Sequence, residues 1–220
     1  MTKTATAIAV GLLGLFLACC SGPTYMHRFR LTIAIETPDG LKTGTGIIEV
    51  RGRHVKSISP EGSGFKPGTI GEAIFVDLGR GRNIVALLAL GSTFDYNQFP
   101  YLAALAFGRP GQEADFEWLT AHKGRVDLES SLTPTLITLD DINNPNSARI
   151  VGLDQFRATF GSGYRFFAAT IEMTQEPVTR GIEKNLPGLI SIDRWNKMLA
   201  PRSPPYTEFS AGYMLFKQGT

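Results

Sequence analysis

From Arg28 onward, apolar and polar side chains alternate with a period of two. Phe29, Leu31, Ile33 and Ile35 fall on one face, and Arg28, Arg30, Thr32 and Glu36 on the other. This is the pattern of a half-buried strand. Thr37-Pro38-Asp39-Gly40 follows as a turn, because Pro presets φ and Gly accepts positive φ. The threonine- and isoleucine-rich run from Leu41 to Arg51 is expected to pair back as a hairpin. Gly44 and Gly46 share one face of that strand, which predicts a bulge or a close neighbouring backbone. Residues 52–70, rich in Gly, Ser, Pro and Lys, read as a long loop. A second hairpin is expected from Glu72–Leu78 and Ile84–Leu90 around the turn Gly79-Arg80-Gly81-Arg82-Asn83. Its second arm, Ala-Leu-Leu-Ala-Leu, also suits a helix, but its shortness and flanking glycines favour a strand buried on both faces.

Further along, Pro100 precedes Tyr-Leu-Ala-Ala-Leu-Ala-Phe and then Gly108, which predicts a short helix. Asp154 is placed as the N-cap of a helix over Gln155–Phe160, closed by Gly161. Strands are expected at Leu136–Leu139, Tyr164–Met173 and Phe209–Phe216, and a helix at Leu189–Leu199 before Pro201. Residues 109–133 carry no clear period. The fold class that results is α+β, predominantly antiparallel β-sheet with a few short helices.

The N-terminus obeys a different rule. Lys3 and the amino terminus precede the apolar run Ala5–Ala18, and Cys19, Cys20, Ser21 and Gly22 follow. This is the layout of an export signal, and the run falls short of the roughly 20 residues that span a bilayer. The ending Leu-Ala-Cys-Cys resembles the lipobox of bacterial lipoproteins, in which a cysteine is acylated and the preceding bond cut. Acylation at Cys20 places Leu17 and Ala18 well but puts Cys19 where Gly or Ala is usual. Acylation at Cys19 places Phe16 and Leu17 at the preceding positions. A cleaved signal without acylation, or a retained single-pass anchor, are the alternatives. The expected organisation is a leader over residues 1–20, a tether over 21–27 and one globular domain over 28–220, anchored through an acyl chain and facing the periplasm of the bacterial envelope.

Composition narrows the chemistry. Lys and Arg number 22 against 20 Asp and Glu, so no basic excess argues for a nucleic-acid partner. The chain has 2 cysteines, both in the leader. Disulfides, cysteine-based zinc sites, c-type haem attachment and thiol catalysis are therefore excluded from the domain. With 43% hydrophobic residues, burial alone can hold a domain of this size.

Few residues advertise chemistry. His27, expected in the tether, His54, expected in the long loop, and His122 show no ligand spacing. The densest oxygen cluster is Asp140-Asp141-Ile142-Asn143-Asn144-Pro145-Asn146-Ser147, a weak metal candidate through Asp140, Asp141 and Asn143. The same residue types build turns, and the EF-hand register is lacking. Gly161-Ser162-Gly163 is no nucleophile elbow and reads as a turn. Gly79-x-Gly81 lacks the third glycine of a dinucleotide loop, no Walker spacing precedes Lys42-Thr43, and no cofactor is implied. Arg80 and Arg82 suit a solvated hairpin tip, with an anion as the alternative.

Three stretches, Arg28–Arg51 (RFRLTIAIETPDGLKTGTGIIEVR), Leu139–Ser147 (LDDINNPNS) and Phe160–Pro187 ending in EPVTRGIEKNLP, resemble a family of uncharacterised proteobacterial exported proteins. The resemblance implies an envelope location and a shared fold, and carries no catalytic residues with it. The expected function is a binding or structural lipoprotein. A periplasmic hydrolase with dispersed carboxylates, or an inner-membrane protein with a retained leader, are the competing readings.

Overall fold

The computed structural model describes residues 24–55, 64–91, 94–144, 147–189 and 217–218. The leader with Cys19 and Cys20, the helix expected beyond Leu189 and the Phe209–Phe216 strand lie outside the described residues.

The alternating stretch forms a long hairpin of β1 (Thr24–Thr37) and β2 (Gly40–Val55), in antiparallel register from Thr24↔Arg53 to Thr37↔Gly40. Thr37 closes the turn, its hydroxyl donating to the Gly40 carbonyl at 2.7 Å. On the far side of β1 lie β9 (Arg165–Thr174) and then β6 (Arg125–Asp127). On the far side of β2 lie β3 (Gly64–Glu72) and β10 (Lys217–Gln218). A second sheet is ordered β4 (Ile74–Gly79), β5 (Arg82–Leu90), β7 (Pro134–Leu139) and β8 (Ala148–Ile150). Every strand pairing is antiparallel. Helices are short: a 3-10 turn (Phe99–Tyr101) leading into α1 (Leu102–Ala106), α2 (Glu113–Ala121) and α3 (Phe156–Phe160). The molecule is thus α+β and mostly antiparallel sheet.

The core lies between the sheets. Phe29, Leu31, Ile33, Ile35, Ile48 and Val50 of the hairpin pack with Ile74, Val76, Leu78, Ile84, Ala86 and Leu88. The backbone anticipated near Gly44 and Gly46 is that of β4. A Cβ at Gly44 would run into the Phe75 carbonyl oxygen, and one at Gly46 would lie 2.9 Å from Ile74 Cγ1. Missing side chains thus let the second sheet lie directly on β2. β5 is buried on both faces, which is why its sequence does not alternate. Its second face, with Val85, Leu87, Ala89, Ile137 and Leu139, is covered by Ile182 and Leu186.

Three expectations need correction. Residues 52–70 are mostly not loop, since β2 continues to Val55 and β3 begins at Gly64. Glycine and proline are tolerated there because β3 has strand neighbours only in part on its outer side. The tether assigned to 21–27 overlaps β1, which starts at Thr24, and His27 is a core residue at 3% exposure. Asp154 does not cap α3. Gln155 holds the N-cap position, and its side-chain carbonyl accepts from the Gly152 N–H at 3.2 Å.

Candidate functional site

A cleft of about 630 Å³ opens beside the outer edge of β3, with Lys66, Pro67, Gly68 and Thr69 as one wall. The opposite wall is the 95–110 segment, which contributes Asp95, Tyr96, Asn97, Gln98, Tyr101 and Leu105, and Gln218 of β10 lies at one end. β10 pairs only with Glu72 and Gly71, so among the described residues no strand pairs with Gly64–Ile70 on this side.

Both ends of the second wall are pinned by aspartates. Leu90 and Asp95 exchange backbone hydrogen bonds at 3.1 and 3.0 Å, and Asp95 Oδ1 accepts from the N–H groups of Asn97 (3.0 Å) and Gln98 (3.1 Å). This Asx arrangement turns the chain into Pro100 and the 3-10 turn. At the other end, Asp115 Oδ2 accepts from Gly111 N–H at 3.0 Å and Gln112 N–H at 2.8 Å, while Arg109 donates to Oδ1 at 3.1 Å. Burial alone would raise the Asp115 pKa, but the hydrogen bonds from Gln112, Arg109 and Gly111 outweigh it and hold the carboxyl below its ordinary value. Gly111 (φ +83°) passes under Tyr101, where a Cβ would lie 2.7 Å from the ring. With the Phe116 ring nearly perpendicular to it at a centroid distance of 5.7 Å, the Tyr101 ring is held by packing. Tyr96 is 40% exposed.

Behind this wall lies an aromatic layer beneath α2. Phe65 meets Phe116 at 4.9 Å and Tyr25 at 6.2 Å, and His27 lies 5.7 Å from Phe116. Neither ring nitrogen of His27 has a hydrogen-bond partner, and burial lowers its pKa to about 4. His54 Nε2 lies 2.6 Å from Glu113 Oε2 at the exposed rim. Burial, and then the Glu113 and Glu117 carboxylates, raise the Tyr25 pKa.

The residues singled out from sequence fall elsewhere. Asp140 makes a two-pronged pair with Arg149 at 2.6 and 3.2 Å, which lowers its pKa. Asp141 Oδ1 accepts from the Asn143 N–H at 2.9 Å and from its amide at 3.2 Å, and the Asp141 N–H donates to Ser147 Oγ at 3.0 Å. These are turn contacts. Among the described residues no group of three or more His, Cys, Asp or Glu could hold a metal ion. His122 stacks on Trp118 at 3.8 Å, a ring that also carries the Arg109 guanidinium at 3.8 Å. Arg80 pairs with Asp39 at 3.1 Å, and Arg82 donates to Tyr164 Oη at 2.9 Å, so the hairpin tip is tied to its own fold. Gly161-Ser162-Gly163 joins α3 to β9, as expected of a turn.

What the cleft offers chemically is contact surface. It combines two tyrosine rings, neutral amides, one ammonium from Lys66 and one carboxylate, Asp95, that already holds two N–H groups. Sequence reading passed over this wall; its one local signal was an Asp two residues before Asn97 and five before Pro100. No known family, no curated protein and no solved structure matches the chain.

Proposed function

We propose that the chain is a membrane-tethered binding protein of the bacterial cell envelope, held by an acyl group on Cys19 or Cys20, with the cleft along β3 as its ligand site. The observation that carries the binding half of this reading is the built second wall, an exposed loop and turn fixed at both ends by aspartates that organise backbone rather than face a substrate. Prepositioned aromatic and amide groups without a nucleophile beside a base are what a binding cleft requires. The tether half is supported by the short apolar leader ending in Leu-Ala-Cys-Cys. No helix of the described residues is long and apolar enough to cross a membrane.

Metabolic labelling with radioactive palmitate, together with the intact mass of the purified native protein, tests the tether. The expected result is label in the parent chain, its loss when the acylated cysteine becomes serine, and a mass lacking the leader. An unlabelled parent that retains Met1 overturns it.

A further inference from the structure

We propose that the β3 cleft binds a neutral oligosaccharide; this rests on the reading of the chain as a binding protein and names its ligand class. Three properties of the walls converge on it. Tyr101, held by packing, and the exposed Tyr96 both line the cleft and bring aromatic surface to it, which suits the C–H groups of a pyranose ring. The side-chain amides of Asn97 and Gln98 are exposed and make no hydrogen bond to another described residue, so donors and acceptors stand free for hydroxyl groups. The volume lies in the range of small-molecule sites, and the cleft is not enclosed, so a ligand longer than one ring can extend out of it.

Competing chemistries fit less well. A multiply charged ligand would find one cation, Lys66, against one carboxylate already engaged by two N–H groups. An extended peptide adding to the free edge of β3 would meet Pro67, which has no N–H to donate, at the centre of that edge. A sugar recognised by side chains from the opposite wall has no need of the edge donors.

The test uses the full chain in a sugar-free detergent, titrated by calorimetry with chitotetraose, maltotetraose, an extended hexapeptide and a short-chain phosphatidylglycerol. Binding of at least one tetrasaccharide is expected, weakened about tenfold by Tyr101→Ala and severalfold by Asn97→Ala, with Tyr101→Phe close to the parent. Asn97 lies on an exposed loop, so that variant reads binding without loss of fold. Absence of binding by both sugars, or sugar binding indifferent to both alanine variants, overturns the proposal. Should the peptide or the lipid bind and Asn97→Ala abolish it, the sugar class falls while the binding-protein reading stands. If no probe binds, both fall.

Discussion

A neutral histidine sealed between aromatic rings gives the fold an acid-sensitive point. His27 ionises near pH 6.5 in the unfolded chain, and burial lowers this to about 4 in the native state. The unfolded chain therefore binds the extra proton first as pH falls. Stability is complete above pH 6.5, declines below it, and the loss is full once pH passes below about 4. Between pH 7.5 and pH 5 the expected loss from this group is about 2 kcal/mol. His27→Leu removes both unpaired nitrogens and should flatten that part of the profile, as urea unfolding at the two pH values would show. A variant as acid-sensitive as the parent would mean the destabilising proton goes elsewhere. On the opposite face of the same sheet, Glu49 is 2% exposed and lies 2.6 Å from both Arg28 Nε and Arg51 Nε. Glu49→Leu removes the shared acceptor of two partly exposed guanidinium groups and should cost about 1–2 kcal/mol, read from the same unfolding curves.

Among the elements, β2 and β4 depend on absent side chains. Gly44→Ala forces a Cβ against the Phe75 carbonyl, a rigid obstacle, and should destabilise by about 1–3 kcal/mol. Gly68→Ala meets nothing within 4 Å and is the matched control, expected within about 0.5 kcal/mol of the parent in chemical denaturation. These elements also show what could be read from residues alone. Phe29 to Ile35 sit half in core and half in solvent, so their alternation is visible, and Gly44 and Gly46 mark a close approach even without its partner. β3 was illegible because Gly64, Pro67, Gly68 and Gly71 carry the composition of a loop and are held as strand by register with β2. α2 escaped notice for a related reason: Phe116 and Leu119 are its buried apolar residues, too few to set up a helical period. The cleft was harder still, because its walls come from β3 and from a turn about thirty residues later, and only the tertiary arrangement opposes them.

At the scale of the whole molecule, the segment after β9 ties the two sheets together. Thr179 exchanges hydrogen bonds with the backbone of Ile47, accepting from its N–H at 2.9 Å and donating to its carbonyl at 3.1 Å. The Ile182 N–H then donates to buried Glu72 Oε2 at 2.8 Å, and Ile182 and Leu186 cover the second face of β5 and β7. With no cysteine after residue 20, non-covalent contacts such as this strap must supply the cohesion that a disulfide gives other domains. Leu186→Ala should cost about 3 kcal/mol by opening a cavity over that face, and calorimetry should show one transition at a lower temperature. Two separated transitions would mean the second sheet unfolds on its own and the strap does not couple it.

The early start of β1 has a mechanical consequence for a chain held at Cys20. Only Ser21, Gly22 and Pro23 separate that sulfur-bearing residue from Thr24, a leash of about 14 Å even when drawn straight. Thr24 stands opposite Arg53, close to where β3 begins, so this pole of the domain would rest on the headgroups and the opposite pole, with the Pro38 turn, would point outward. If the proposed acyl anchor holds, so short a leash would limit the domain to what lies along the bilayer surface, and a Gly-Ser insert after Cys20 should widen its reach without touching a contact among the described residues.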